Sequence, residues 1–255
     1  MPSRPAVLAI ACALLLAATS GFASSQTPRS MVLASTPDSI PAVQTDGQIA
    51  TPERPGLRVE LLRSAGKQCG VEVEFLTVPW ARALALVKSG RIAGAFSSSF
   101  SEERAEYGVY PMANNKPDPS RAMKGYTYTL YVHTDSPLQW NGKTVTGADR
   151  HVIVERGSAA VELALKLDLK PVEVTGYQNL VPMLAAKRAP GMIGIESYVK
   201  TAVVGHPAWE SQIHALSQPL EEKHGYVMFG RAYYTQHQAL VERYWNAPRD
   251  TRSKP

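Results

Sequence analysis

Apolar positions along this chain switch repeatedly between a period of two and a period near four, and each switch marks the edge of an element. Met31-Val-Leu-Ala-Ser35 is short, apolar and strand-like, and a polar loop holding Pro37, Pro41, Gly47, Pro52, Pro55 and Gly56 follows it. Leu57, Leu61, Ala65 and Cys69 then recur at four-residue spacing, which predicts a helix facing inward along that line and stopping at Gly70. Val71, Val73 and Phe75 alternate with acids, as in a strand with one buried face. Pro79 suits the first turn of a second helix with Trp80, Leu84 and Val87 inward, and Gly90 closes it before a strand at Ile92-Ala-Gly-Ala-Phe96.

After a loop rich in Asn, Pro and Lys, from Asn114 to Lys124, the same grammar repeats. Strands are predicted at 126–133, 152–154, 172–174, 192–195 and 226–229. A helix with Val161, Ala164 and Leu165 inward starts at Gly157-Ser158, and further helices span 180–186, 198–204 and 236–245. Such alternation predicts an α/β protein of two lobes, each a parallel or mixed sheet flanked by helices.

The beginning of the chain reads as an export signal: Arg4 supplies the positive start, Ala6 to Ala18 the apolar run, and Gly21-Phe-Ala23 a small-residue cleavage site. The apolar run is shorter than the ~20 residues that span a bilayer. Cleavage near Ala23 is therefore expected, with a soluble product in the periplasm. Removing the signal leaves Cys69 as the only cysteine, so no intramolecular disulfide can staple the exported fold. The core must hold by packing, which about 230 residues can supply. The net charge of +5 comes from single lysines and arginines scattered among acids, a pattern that argues against nucleic-acid binding. The six histidines have no short metal spacing, and no P-loop, Gly-x-Ser-x-Gly elbow or dinucleotide fingerprint is present, so neither metal nor cofactor is expected. The last residues, 248–255, carry no apolar periodicity and are expected to be a disordered tail.

Candidate chemistry concentrates after the 92–96 strand, where Ser97-Ser-Ser99 and then Arg104 stand at a predicted helix start. A guanidinium makes two parallel hydrogen bonds to a carboxylate, and hydroxyls or helix N-terminal amides can fill its remaining lone pairs. Ser97, Ser99 and Arg104 are the first candidates. The bland alternatives are an Arg104 paired with Glu103 or Glu106 on a solvated helix face, and a serine run that only caps a helix. Ser158, after Gly157, reads as a helix cap and anion contact. Trp80, at helical spacing, reads as core or as an aromatic wall of a site.

In order, Pro79-Trp-Ala-Arg-Ala-Leu84, Lys88-Ser-Gly-Arg-Ile-Ala-Gly-Ala-Phe96, Ser101-Glu-Glu-Arg104, Tyr110-Pro111, Asn141-Gly-Lys-Thr-Val145, Val154-Glu-Arg-Gly-Ser158 and Met192-Ile-Gly-Ile-Glu196 resemble the periplasmic solute-binding proteins of amino-acid-type ABC transporters, extracellular solute-binding protein family 3. The resemblance implies a type II periplasmic-binding-protein-like fold with two hinge crossings, placed near Arg121 to Gly125 and Leu216 to Leu220. It implies lobe 1 at 24–124, lobe 2 at 125–216 and a return to lobe 1 at 217–247. It also implies that Arg104 clamps a ligand α-carboxylate with Ser97 and Ser99, and that Glu196 receives the α-ammonium. Glu196 read on its own residues could instead cap the helix that follows it.

Two departures stand out: Ala159 replaces a frequent hydroxyl residue, and the first loop, Thr36-Pro-Asp-Ser-Ile-Pro41, lacks the aromatic that commonly stacks on the ligand. Trp80, Tyr126 or Tyr128 could supply that surface. The function implied is non-enzymatic capture of a polar amino acid or related small carboxylate by a monomer that closes on it, with an ABC permease as partner. Two alternatives share the fold: a cyclohexadienyl-dehydratase-like enzyme, for which Glu196 or His133 would be the acid or base, and a sensor module for a membrane receptor.

Overall fold

The computed structural model describes residues 28–37 and 56–247. The expected signal peptide, most of the first loop and the expected tail lie outside these residues. In chain order the described elements are β1 (Ser30–Ser35), α1 (Leu57–Cys69), β2 (Glu72–Thr77), α2 (Trp80–Lys88), β3 (Gly94–Ser98), α3 (Glu102–Ala105), β4 (Gly108–Val109), the small hairpin β5 (Met112–Ala113) and β6 (Lys116–Pro117), and the long β7 (Met123–His133). There follow a second hairpin, β8 (Gln139–Trp140) and β9 (Val145–Thr146), then β10 (His151–Glu155), α4 (Ala159–Lys166), β11 (Lys170–Val174), α5 (Tyr177–Ala185), β12 (Gly191–Ile195), α6 (Glu196–Val203), α7 (Pro207–Gln212), β13 (Ile213–Ala215), β14 (Glu221–Gly230) and α8 (Arg231–Asn246).

The main sheet runs β11-β10-β12-β7-β14-β3-β1-β2, with β13 on β7 and β4 on β14. At each end the neighbours are parallel, β1 with β2 and β3 on one side and β10 with β11 and β12 on the other, while β7 and β14 are antiparallel to their neighbours. This is the mixed α/β architecture of two lobes. One lobe buries Leu130, Ile153, Leu180, Leu184 and Met192; the other buries Leu33, Leu62, Phe96, Phe229 and Tyr244. The two crossings are β7 and β14, which pair with each other over Met123 to Tyr128 and Glu221 to Gly225. Gly225 is required there, because a Cβ would come within 2.5 Å of the Tyr126 ring. The terminal helix α8 returns to the first lobe, where Tyr244 donates to the Leu62 carbonyl (3.0 Å) and Trp245 to the Val227 carbonyl (2.8 Å).

Two helices bury a different face from the one their large apolar residues predicted. In α1 the buried residues are Val59, Leu62, Ala65 and Gly66, and Leu57 is 47% exposed. Gly66 explains the rotation: it packs directly on β2, where a Cβ would stand 2.4 Å from Val73 Cγ2 and 2.7 Å from the Val71 carbonyl. Gly66→Ala is expected to destabilise the protein by about 1–3 kcal/mol through overpacking, read as a lower urea midpoint with an unchanged m-value. In α4 the small residues Ala159, Ala160 and Ala164 go inward with Leu163, leaving Leu165 61% exposed.

Candidate functional site

Parallel strands present their carboxyl ends together, and ligands of open α/β sheets bind beyond those ends. Here the carboxyl ends of β1 and β3 from one lobe face those of β10 and β12 from the other. Thr36, Ser97, Ser99, Glu155 and Ile195, at the ends of these four strands, line one cavity between the lobes with Trp80, Arg104, Tyr128, Ser158, Ala159 and Tyr198.

On the first-lobe side the chain leaves β3 through Ser97, which holds a left-handed backbone (φ 63°). Strain of this kind costs about 1–3 kcal/mol and persists where surrounding contacts impose it. Ser98 turns into the core, where its hydroxyl meets the Tyr110 hydroxyl at 2.8 Å, so its role is structural. Ser101 caps α3 by accepting from the Arg104 amide, and this short turn aims the Arg104 side chain inward. Arg104 is only 4% exposed. Its Nη1 donates to the Ser99 carbonyl (2.9 Å) and to Ser99 Oγ (3.3 Å), and Nη2 donates across the cleft to the Gly157 carbonyl (2.9 Å). Its guanidinium also lies 5.8 Å from the centre of the Trp80 ring. It is therefore a cleft residue rather than a solvated one.

On the second-lobe side β10 ends at Glu155, 5% exposed, and the chain turns through Gly157 (φ 69°) into α4. Ser158 caps α4 by accepting from the Ala160 amide at 3.2 Å, so the positive end of this helix opens on the cavity through Ser158 and Ala159. Trp80 Nε1 also donates to the Gly157 carbonyl (3.1 Å). Two donors from one lobe thus meet a single acceptor on the other and hold the cleft shut. The space left between the lobes is about 20 Å3, enough for roughly one water, whereas pockets for small ligands are typically about 300–1,000 Å3. This is a closed clasp, and anything larger enters by parting the lobes.

Trp80→Phe removes one of the two donors to Gly157 at little cost in ring packing. A hydrogen bond of this kind contributes about 0.5–1.5 kcal/mol, so the ligand-free variant is expected to populate the open form several-fold more, seen as a larger radius of gyration by small-angle scattering. An unchanged radius in a protein whose parent opens in solution would contradict the clasp.

Tyrosines form the remaining wall. Burial pushes the Tyr128 phenol well above its ordinary pKa although Arg104 pulls it partly back, and burial pushes Tyr110 up to about 12. Both are neutral hydrogen-bonding groups at physiological pH. Tyr198 packs edge-to-face on Tyr177, with ring centres 5.3 Å apart, and Tyr177 accepts the Ile195 amide at 2.7 Å.

Arg104, Ser97, Ser99, Ser158 and Trp80, the sequence candidates, are brought together at this cavity; Glu196 is not. Ile195, the last residue of β12, lines the cavity, while Glu196 is the first residue of α6 and the turn into that helix takes its side chain to a separate groove. There Glu196 pairs with Lys200 and lines a separate groove with Tyr131, whose phenol burial and Glu196 together push up to about 12. His133 is also distant: it lies near the far end of β7, pairing with Ile213 and 3.9 Å from Asp135. The residues that sequence reasoning passed over are Thr36, Glu155, Ile195 and Tyr198. Glu155 carried a usable signal, an acid closing the apolar run Val152-Ile-Val154 two residues before Gly157-Ser158.

No protein-family model and no curated protein matches the chain. Solved structures of the same fold do. A histidine kinase sensor domain similar to periplasmic binding proteins superposes with a TM-score of 0.66 at 17% identity, covering 86% of this chain and 88% of that one. The amino acid ABC transporter substrate-binding protein AbpA of Streptococcus pneumoniae, bound to L-arginine, gives 0.61 at 19% identity over 86% and 88%. The GluR0 ligand-binding core of Nostoc punctiforme, in complex with L-glutamate, gives 0.58 at 14% identity over 88% and 96%. At these identities the likeness is one of fold: the chain has the two-lobed periplasmic-binding-protein-like architecture.

Proposed function

We propose that this protein captures an α-amino acid between its lobes in the periplasm, as the solute-binding component of an ABC importer, and that it does so as a monomer without turning the ligand over. The observation that carries this reading is the pairing of two buried, opposite charges, Arg104 from one lobe and Glu155 from the other, on one closable cavity. Arg104, Ser99 and the N-terminus of α4 suit a carboxylate, and Glu155 suits an ammonium group. A ligand carrying both parts the ligand-free clasp and gains its full contacts only when the lobes settle around it in a wider closed form, so binding energy becomes closure. Glu155 thus takes the role that the resemblance implied for Glu196.

Closed lobes are the state that a permease would read. A sensor function uses the same clamp, and the fold shared with a histidine kinase sensor domain favours it as the second reading. Stimulation of a permease ATPase by the liganded protein would support the importer, and stimulation of a kinase would support the sensor. An enzyme finds less support, because Glu196 and His133, the acid and base considered for it, lie away from the cavity.

The test is a thermal-shift screen of protein that has been unfolded and refolded to strip carried ligand. At about 100 times Kd a ligand adds ~2.7 kcal/mol of stability. Stabilisation by an α-amino acid, lost when its amino group is removed or its carboxylate esterified, is the expected result. No stabilisation by any amino acid contradicts the reading.

A further inference from the structure

A second arginine stands behind the cavity wall. Arg58, in the first turn of α1, donates from Nη1 to Ser97 Oγ at 3.3 Å, and the Ser97 side chain lines the cavity. Its guanidinium lies 5.7 Å from the centre of the Tyr126 ring, a cation–π contact that holds the fork in place. It also interacts with Tyr198, a cavity residue of the other lobe. Burial pulls the Arg58 pKa down, but the neighbouring phenols of Tyr126 and Tyr198 more than reverse this and leave it above its ordinary value.

The contacts of Arg58 divide between the lobes. Ser97 belongs to the first lobe with Arg58, whereas Tyr198 belongs to the second, on α6. Parting the lobes would carry Tyr198 away with the second lobe, while Ser97 stays beside Arg58 on the first. The strained backbone of Ser97 (φ 63°) is what places its hydroxyl between Arg58 and the cavity. The first lobe therefore carries two hydroxyl–arginine pairs, Ser99 with Arg104 and Ser97 with Arg58. Two such pairs on one lobe suit a ligand that carries two carboxylates.

We propose that Arg58 reads a second carboxylate, on the ligand side chain, so that the preferred ligand is an acidic α-amino acid of the aspartate or glutamate type. The α-carboxylate meets Arg104, the ammonium meets Glu155, and the side-chain carboxylate replaces the Tyr198 phenol at Arg58. Three ligand charges then each face an opposite charge as the site leaves water, the condition under which charged groups are tolerated inside a protein.

The inference rests on the amino-acid reading of the cleft, and titration calorimetry of the stripped protein separates the two. L-Glutamate and L-aspartate are compared with their near-isosteric amides L-glutamine and L-asparagine, and with L-arginine. The acids are expected to bind at least about 10-fold tighter than the amides. In Arg58→Gln the preference is expected to collapse, through weaker binding of the acids with the amides little changed, while Arg104→Ala weakens all of them. Wild-type protein that binds an amide or arginine as tightly as the acids overturns this proposal and leaves the amino-acid reading standing. A preference for the acids that survives Arg58→Gln overturns it in the same way. Binding of no amino acid at all overturns both. Where Arg58→Gln does not fold, Arg58→Lys, which keeps the charge and loses the planar fork, takes its place: a narrowed preference for the acids is expected, and an unchanged one overturns the proposal.

Discussion

Arg104→Ala is expected to cost about 2–5 kcal/mol of binding free energy for an α-amino acid, a loss of roughly 30-fold to several thousand-fold in affinity. The magnitude follows from burial: Arg104 is 4% exposed, and its removal leaves the ligand carboxylate in a dry site without its charged partner. The fold should survive. The Ser99 carbonyl that accepts from Arg104 also accepts from the Tyr110 hydroxyl at 3.1 Å, and Ser101 caps α3 through the backbone amide of residue 104 rather than its side chain. Circular dichroism and the urea midpoint serve as the control for folding, and calorimetry as the readout. A folded variant with unchanged affinity would remove Arg104 from the site.

Glu155→Gln is expected to produce a loss of similar size with a distinct signature. The substitution keeps the shape and removes the charge, so ligands with a free ammonium weaken while their desamino analogues do not. Circular dichroism and the urea midpoint again serve as the control for folding. A variant that bound the amino acid and its desamino analogue in the parental ratio would show that the ammonium lies elsewhere.

Much of this architecture was legible in the amino-acid pattern, and the misreadings share physical causes. The strands came through because alternation and short apolar runs are local signals. The inward faces of α1 and α4 did not, because small residues carry little weight in an apolar pattern yet decide how closely a helix can approach a sheet; Gly66 and Ala159 make the close contacts while Leu57 and Leu165 face solvent. At the site, Arg104, Ser97, Ser99 and Ser158 follow from local motifs. Glu155 and Glu196 stand at or just beyond the ends of the neighbouring parallel strands β10 and β12, but Glu155 is still a strand residue whereas Glu196 is already the first residue of α6. Glu155 therefore lines the cleft, and the turn into α6 carries Glu196 to a separate groove. Tyr198 and Arg58 meet only because β7 and β14 bring two lobes together, a relation between distant segments that no local pattern contains.

The central claim is that one closable cleft reads both charges of an amino acid, and the most direct measurement is a calorimetric titration of the stripped protein with the α-amino acid that stabilises it most, repeated with that ligand's desamino and carboxamide analogues. Saturable one-to-one binding of the amino acid, with both analogues weakened at least about 30-fold, is the predicted result. Equal affinity for all three compounds, or no binding of any α-amino acid, would contradict it.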